Sequence, residues 1–137
     1  MFASAELINH MNKVKDSYNV NGITQVAGEA ALRDRAHFDW LVSSTIAERA
    51  WMQEQASKWG WTWPRSSGNF MLFEVGCKEL ASKLYSRLKE NGLLVRYWGT
   101  RSDLWTKLRV TVGQRASNQK FVDLVSAVLD DHTANGK

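Results

Sequence analysis

Lys107-Leu-Arg-Val-Thr-Val112 is the stretch from which the fold can be read. Leu108, Val110 and Val112 fall on one side of an extended chain and Arg109 and Thr111 on the other, the two-residue alternation of a strand. Working backwards, Leu93-Leu-Val-Arg-Tyr-Trp98 is another strand. Asn69-Phe-Met-Leu-Phe-Glu-Val75 is a continuous apolar run, short enough for a strand buried on both faces. Trp61-Thr-Trp-Pro64 reads as a short strand or edge piece, closed by the only proline. Leu80, Ala81, Leu84, Tyr85 and Leu88 recur at helical spacing, and Asn91-Gly92 ends that helix. Forwards, Ser117 is the expected N-cap of a last helix that buries Phe121, Leu124, Val125, Val128 and Leu129. The polar tail from Asp130 is expected to fray.

The N-terminal part is helical throughout. Leu7, Ile8, Met11 and Val14 suit a short amphipathic helix ending near Lys15, and Asp16 to Gly22 is a loop by its turn residues. Ile23, Val26, Ala27, Ala30 and Ala31 follow the spacing of one helical face. Phe38, Leu41, Val42, Thr45, Ile46, Met52, Ala56 and Trp59 extend it to Gly60, a suitable C-cap. This is one long helix or two with a break near Asp34-Arg35. A helix of about 35 residues would be too long for a small domain to cover, and such a helix usually bridges two bodies. The fold class expected is α/β: an α+β sandwich with a long N-terminal linking helix, then a small mixed sheet with helices on one face.

Composition bounds the function. The chain has 137 residues, 44% hydrophobic and 23% charged, which excludes disordered and collagen-like classes. Its length suffices for one core. A single cysteine, Cys77, excludes a disulfide framework and a multi-cysteine zinc site. No signal peptide is visible at Met1-Phe-Ala-Ser-Ala-Glu6, and no apolar run reaches the ~18 residues of a membrane span, so a cytoplasmic protein without a membrane partner is expected. The net charge of +4 is scattered, which argues against a nucleic-acid partner. Seven tryptophans, three of them in Trp59-Gly-Trp-Thr-Trp63, could stack bases but more often fill a core or an interface.

His10, His37 and His132 lie far apart with no metal-ligand spacing, and Cys77 has no histidine beside it, so neither points to a site. Arg96 and Arg109 are more informative. Each sits in mid-strand among apolar residues, on what should be adjacent strands. A buried unpaired charge costs several kcal/mol, so each guanidinium needs an anion or water. Two readings stay open. One is an ion pair within the chain, for example with Glu74 or Asp103, or an edge strand that leaves the head in water. The other is a ligand carboxylate or phosphate matched by the planar fork, with Thr111 and Gly113 allowing close approach.

Further segments occur in a telling order: Lys13-Val-Lys-Asp-Ser-Tyr-Asn-Val-Asn21, Gln25, Ala30-Ala-Leu-Arg-Asp34, Ala47-Glu-Arg49, Ser67-Gly-Asn-Phe-Met-Leu72, Gly92-Leu-Leu-Val-Arg-Tyr97 and Leu108-Arg-Val-Thr-Val-Gly113. From about residue 4 to 129 the chain resembles the C-terminal part of the histidinol-phosphate aminotransferase family, pyridoxal-phosphate enzymes of the aspartate-aminotransferase-like fold. The resemblance implies that Arg109 grips the carboxylate of the amino-acid substrate and that Arg96 contacts histidinol phosphate at its anionic end. Tyr18, in the Tyr-Asn pair, is implied beside the phosphate pocket, and Asn69 as strand-end support. It implies glutamate as the other substrate, a homodimer, and a place in histidine biosynthesis.

The domains implied are residues 1–35 as a remnant of the large domain and linker, 36–130 as the small C-terminal domain, and 131–137 as a tail. The family's Schiff-base lysine lies in a Ser-Lys-x-x-x-Leu-x-Gly-x-Arg stretch upstream. Ser57-Lys58 and Ser82-Lys83 are not followed by such a stretch. No cofactor-binding or catalytic residue is therefore expected in this chain, and alone it is expected to be inactive. Alternatives are a related enzyme of the same fold, such as threonine-phosphate decarboxylase, or a small α/β binding module offering Tyr97, Trp98 and Trp105 to single-stranded nucleic acid.

Overall fold

The computed structural model describes residues 3–134. The chain forms two compact units divided after Trp40. In the first, α1 (Ala5–Val14) and α2 (Gly22–Arg33) each start at a side-chain cap, and neither buries a residue. The Leu7 N–H donates to Ser4 Oγ at 3.4 Å, and the Thr24 N–H to Asn21 Oδ1 at 2.8 Å. Asp34 then makes the break. Its N–H ends α2 on the Ala30 carbonyl, while its carboxylate accepts from the His37 N–H at 3.0 Å and so opens α3 (Arg35–Lys58). Of the two readings of this region, two helices with a break at Asp34 is the one observed.

The second unit holds a three-stranded sheet formed by β1 (Phe70–Glu74), β2 (Arg96–Tyr97) and β3 (Lys107–Thr111), in the order β1-β3-β2. Both pairings are antiparallel, so the sheet is not mixed as expected from the sequence. Met71 and Phe73 of β1 and Leu108 and Val110 of β3 point to one face, where they are buried. Against them pack Leu80, Leu84 and Leu88 of α4 (Lys78–Glu90), Phe121, Val125 and Val128 of α5 (Arg115–Ala134), and Met52 and Ala56 of α3. This is an α+β arrangement with its helices on one side.

Several local readings change. β1 is buried on one face only, because Phe70 lies on the uncovered side and Leu72 is half-buried there. β2 is reduced to two paired residues, with Leu94 before it exposed. Trp61 to Pro64 contributes a single bridge, Thr62 to Glu74. Trp61 itself is buried, with its ring 5.6 Å from Phe73 and 4.9 Å from Trp59; Trp63 also meets Phe73. Of the clustered tryptophans Trp61 is a core residue, and Trp59 and Trp63 pack half-buried against the core. Ser117 is not a cap, since α5 begins at Arg115 and the Gln114 carbonyl already accepts from the Ser117 and Asn118 N–H groups. The last helix runs on through Ala134, beyond the expected fraying point; residues 135–137 lie outside the described part. Among the described residues no helix is long and apolar enough to cross a membrane.

Candidate functional site

β3 is the central strand, and its side chains alternate by the pleat: Leu108 and Val110 go to the core, Arg109 and Thr111 to the uncovered face. The register sets Arg96 of β2 directly opposite Arg109, so both arginines leave the same face. Leu72 of β1 faces Arg109 from the other side. Each guanidinium lies over an aromatic ring, Arg109 over Phe70 at 5.4 Å and Arg96 over Trp98 at 5.7 Å.

The carboxylates proposed as internal partners are engaged elsewhere. Lys107 Nζ meets Glu74 at 3.0 Å, and Arg101 meets Asp103 at 2.8 Å. Among the described residues neither Arg96 nor Arg109 has a carboxylate within 4.0 Å. The internal ion pair is therefore overturned, and both heads are exposed, the solvated arrangement that the first reading also allowed. Two like charges directly opposite in an antiparallel pair are unfavourable on their own. An anion laid across both would remove that repulsion and match the two forks.

Around this pair the electrostatics are settled by local contacts. Burial pushes the Glu74 carboxyl up, but hydrogen bonds from Thr106 and Lys107, the Lys107 charge and the Gly76 backbone together hold it below the usual carboxylate value. Burial, then the Glu79 charge, raises the Tyr97 hydroxyl. Tyr97 packs on Tyr85 with ring centroids 5.6 Å apart, and Lys78 covers Trp105 at 5.1 Å. Of the three aromatics considered for base stacking, each thus has a neighbour in the chain.

Thr111 shares the arginine face, as expected. Gly113 is exposed, and its backbone is held by Asn118: its N–H donates to Asn118 Oδ1 at 3.0 Å and its carbonyl accepts from Asn118 Nδ2 at 2.8 Å. The Asn69 carbonyl accepts from the Val112 N–H at 2.8 Å, tying the ends of β1 and β3. Tyr18 stands in the loop between α1 and α2, in the first unit, and is 95% exposed. The structure brings together Arg96 and Arg109.

Sequence reasoning missed a polar network behind β3. Asn118, 2% exposed, also donates to Glu48 at 2.8 Å, and Glu48 accepts from Arg115 Nε at 2.8 and 3.1 Å. Arg115 lies over the Trp51 ring at 4.3 Å. Nearby, Arg49 donates to the Gly68 carbonyl at 2.6 Å, in a groove of about 450 Å3 lined by Leu41, Val42, Thr45 and Ile46. The available signal was Glu48 and Arg49 one turn before Met52, in a helix whose fully buried positions, Met52 and Ala56, are apolar. His10, His37 and His132 are exposed, and among the described residues no group of three or more His, Cys, Asp or Glu could hold a metal. Cys77 is exposed at the start of α4, without a capping hydrogen bond from its side chain.

Comparison with known proteins places this geometry. The family model described as aminotransferase class I and II matches residues 1–125. A histidinol-phosphate aminotransferase 1 from Carboxydothermus hydrogenoformans is 34% identical over 129 residues, which cover 94% of this chain and 36% of that protein. A histidinol-phosphate aminotransferase from Vesicomyosocius okutanii is 32% identical over 127 residues, 91% of this chain and 35% of that protein. In fold, the chain superposes with a TM-score of 0.78 on the histidinol-phosphate aminotransferase of Sinorhizobium meliloti, solved in complex with pyridoxal-5'-phosphate. That match has 18% identity and covers 90% of this chain and 34% of that one. The chain thus spans about a third of the length of the relatives it matches. By the extent of the family match, the chain belongs to the aminotransferases of class I and II.

Proposed function

We propose that the chain is the C-terminal portion of a pyridoxal-phosphate-dependent histidinol-phosphate aminotransferase, which moves an amino group between glutamate and imidazole-acetol phosphate in histidine biosynthesis. The observation that carries this reading is the pair of facing guanidiniums, Arg96 and Arg109, exposed on one sheet face with no carboxylate among the described residues to neutralise them. In this reading Arg109 grips the glutamate carboxylate bidentately and Arg96 takes the anionic end of histidinol phosphate. Tyr18 is assigned to the phosphate pocket. The rings of Phe70 and Trp98 hold the two forks so that little side-chain freedom is lost on binding. The chain's domains are then 1–35 as large-domain and linker remnant, 36–130 as small domain and 131–137 as tail. The complete enzyme is taken as a cytoplasmic homodimer.

Pyridoxal phosphate supplies the electron sink for amino transfer when bound. The residues of this chain do not fit it. Lys58 is exposed beside Glu54, Lys83 lies on the exposed face of α4, and Lys107 is held by Glu74 and the Asp103 carbonyl. We take none of these three lysines as the cofactor's partner, since none stands in the family's Ser-Lys-x-x-x-Leu-x-Gly-x-Arg stretch. In this reading the lysine, the partner of the pyridine nitrogen and the phosphate cup belong to polypeptide outside this sequence. This chain binds and orients substrate.

The test is reassembly. The chain alone is expected to show no transamination of histidinol phosphate, and mixing with the N-terminal fragment of a matching relative to restore it. Turnover by the chain alone would overturn the assignment of the missing lysine. A reassembled complex active on other amino acids but inert toward histidinol phosphate would overturn the substrate.

A further inference from the structure

We infer that Asn118 is a positioning residue for the anion site: it sets the height of Arg109 by clamping the end of β3 to α3. This rests on the reading of Arg109 given above. β3 is five residues long, and its partner β2 is paired at two positions only, so the ladder on that side restrains it little. Slipping by one residue would exchange Arg109 for Val110 on the uncovered face. Two contacts oppose this at the strand's end. On one side Asn69 holds Val112. On the other, Asn118 spends its amide on both backbone groups of Gly113 and turns its second N–H to Glu48.

An amide left only 2% exposed cannot exchange these partners for water, so the geometry is held by the loss that any displacement would entail. Glu48 is anchored in turn by Arg115, whose guanidinium is braced on Trp51.

The experiment uses the full chain, labelled with 15N, and inorganic phosphate as the probe. The Nε–Hε resonances of Arg96 and Arg109 are followed through a phosphate titration. Wild type is expected to shift saturably and Arg109→Ala to lose the response. Asn118→Ala is expected to bind about tenfold more weakly, since small misplacements of a binding group are costly. It should also move the Arg109 Hε resonance before phosphate is added, because the Phe70 ring current reports the height of the guanidinium. Ser86→Ala, exposed on α4 and outside the clamp, is the control and should bind as wild type does. If Asn118→Ala does not fold, Asn118→Asp serves, as it keeps the acceptor for the Gly113 N–H while losing both donated bonds; a severalfold loss is expected.

Wild-type affinity and an unmoved Arg109 resonance in the folded variant would overturn the role of Asn118 alone. Absence of any phosphate response in wild type would instead overturn the reading of the arginines, and the ring-current shift would still decide whether Asn118 positions Arg109.

Discussion

At Arg109 the planar fork is the property under test. In the reassembled enzyme Arg109→Ala is expected to cost about 2–5 kcal/mol of substrate binding, measured as KM or Kd, as for truncating one partner of a charge pair that substrate buries. Arg109→Lys should recover only part, because an ammonium cannot reproduce two parallel hydrogen bonds. Glu74 gives a pH-dependent counterpart. Its carboxyl titrates below the ordinary value in the folded chain, so the stability it adds is present above the unfolded-state pKa and lost as pH falls through the folded one. Glu74→Gln should therefore be less stable than wild type near neutrality, with the difference closing in acid; urea midpoints at the two pH values check this. Arg96 and Arg109 were legible as a pair because charge in an apolar alternation stands out. Their partners were not, since which carboxylate reaches which cation depends on rotamers and register. Asn118 gave no signal at all: its value comes from being buried next to Gly113, and burial of a polar residue on an amphipathic helix cannot be read from spacing.

Among the elements, the helices were the most legible and the strand edges the least. Period-two alternation placed β3 to within a residue. β1 reads as doubly buried because Phe70 and Leu72 are apolar, yet Phe70 is exposed and Leu72 only half-buried, and apolar side chains alone cannot reveal that. β2 pairs with β3 only at Arg96 and Tyr97, and Leu94 before it is exposed. Where α4 ends, the reading held: Gly92 has φ +76° directly after the Asn91 cap. Gly92→Ala should therefore cost about 1–2 kcal/mol, since a Cβ is disfavoured in that left-handed conformation. Phe73, fully buried between Trp61, Trp63 and Phe121, should cost about 3–5 kcal/mol on change to alanine. Thermal melts of both variants check the ordering.

In the whole molecule, apolar surface is left uncovered in both units. Ile23, Val26 and Leu32 of α2 are each at least 70% exposed, and in the second unit Leu41, Val42 and Ile46 of α3 are exposed as well. Patches of this kind mark an interface whose partner is elsewhere or another copy. The chain alone should accordingly bind an apolar dye and rise in apparent mass with concentration by light scattering; a dye-silent monomer would show that these faces need no partner. How that self-association proceeds follows from the rim of the sheet. One border is a strand of two residues and the other carries the Thr62 bridge, so little unpaired backbone remains to template a neighbour. Clumping of the isolated polypeptide should stay helical and reversible on dilution, with thioflavin fluorescence flat while turbidity climbs.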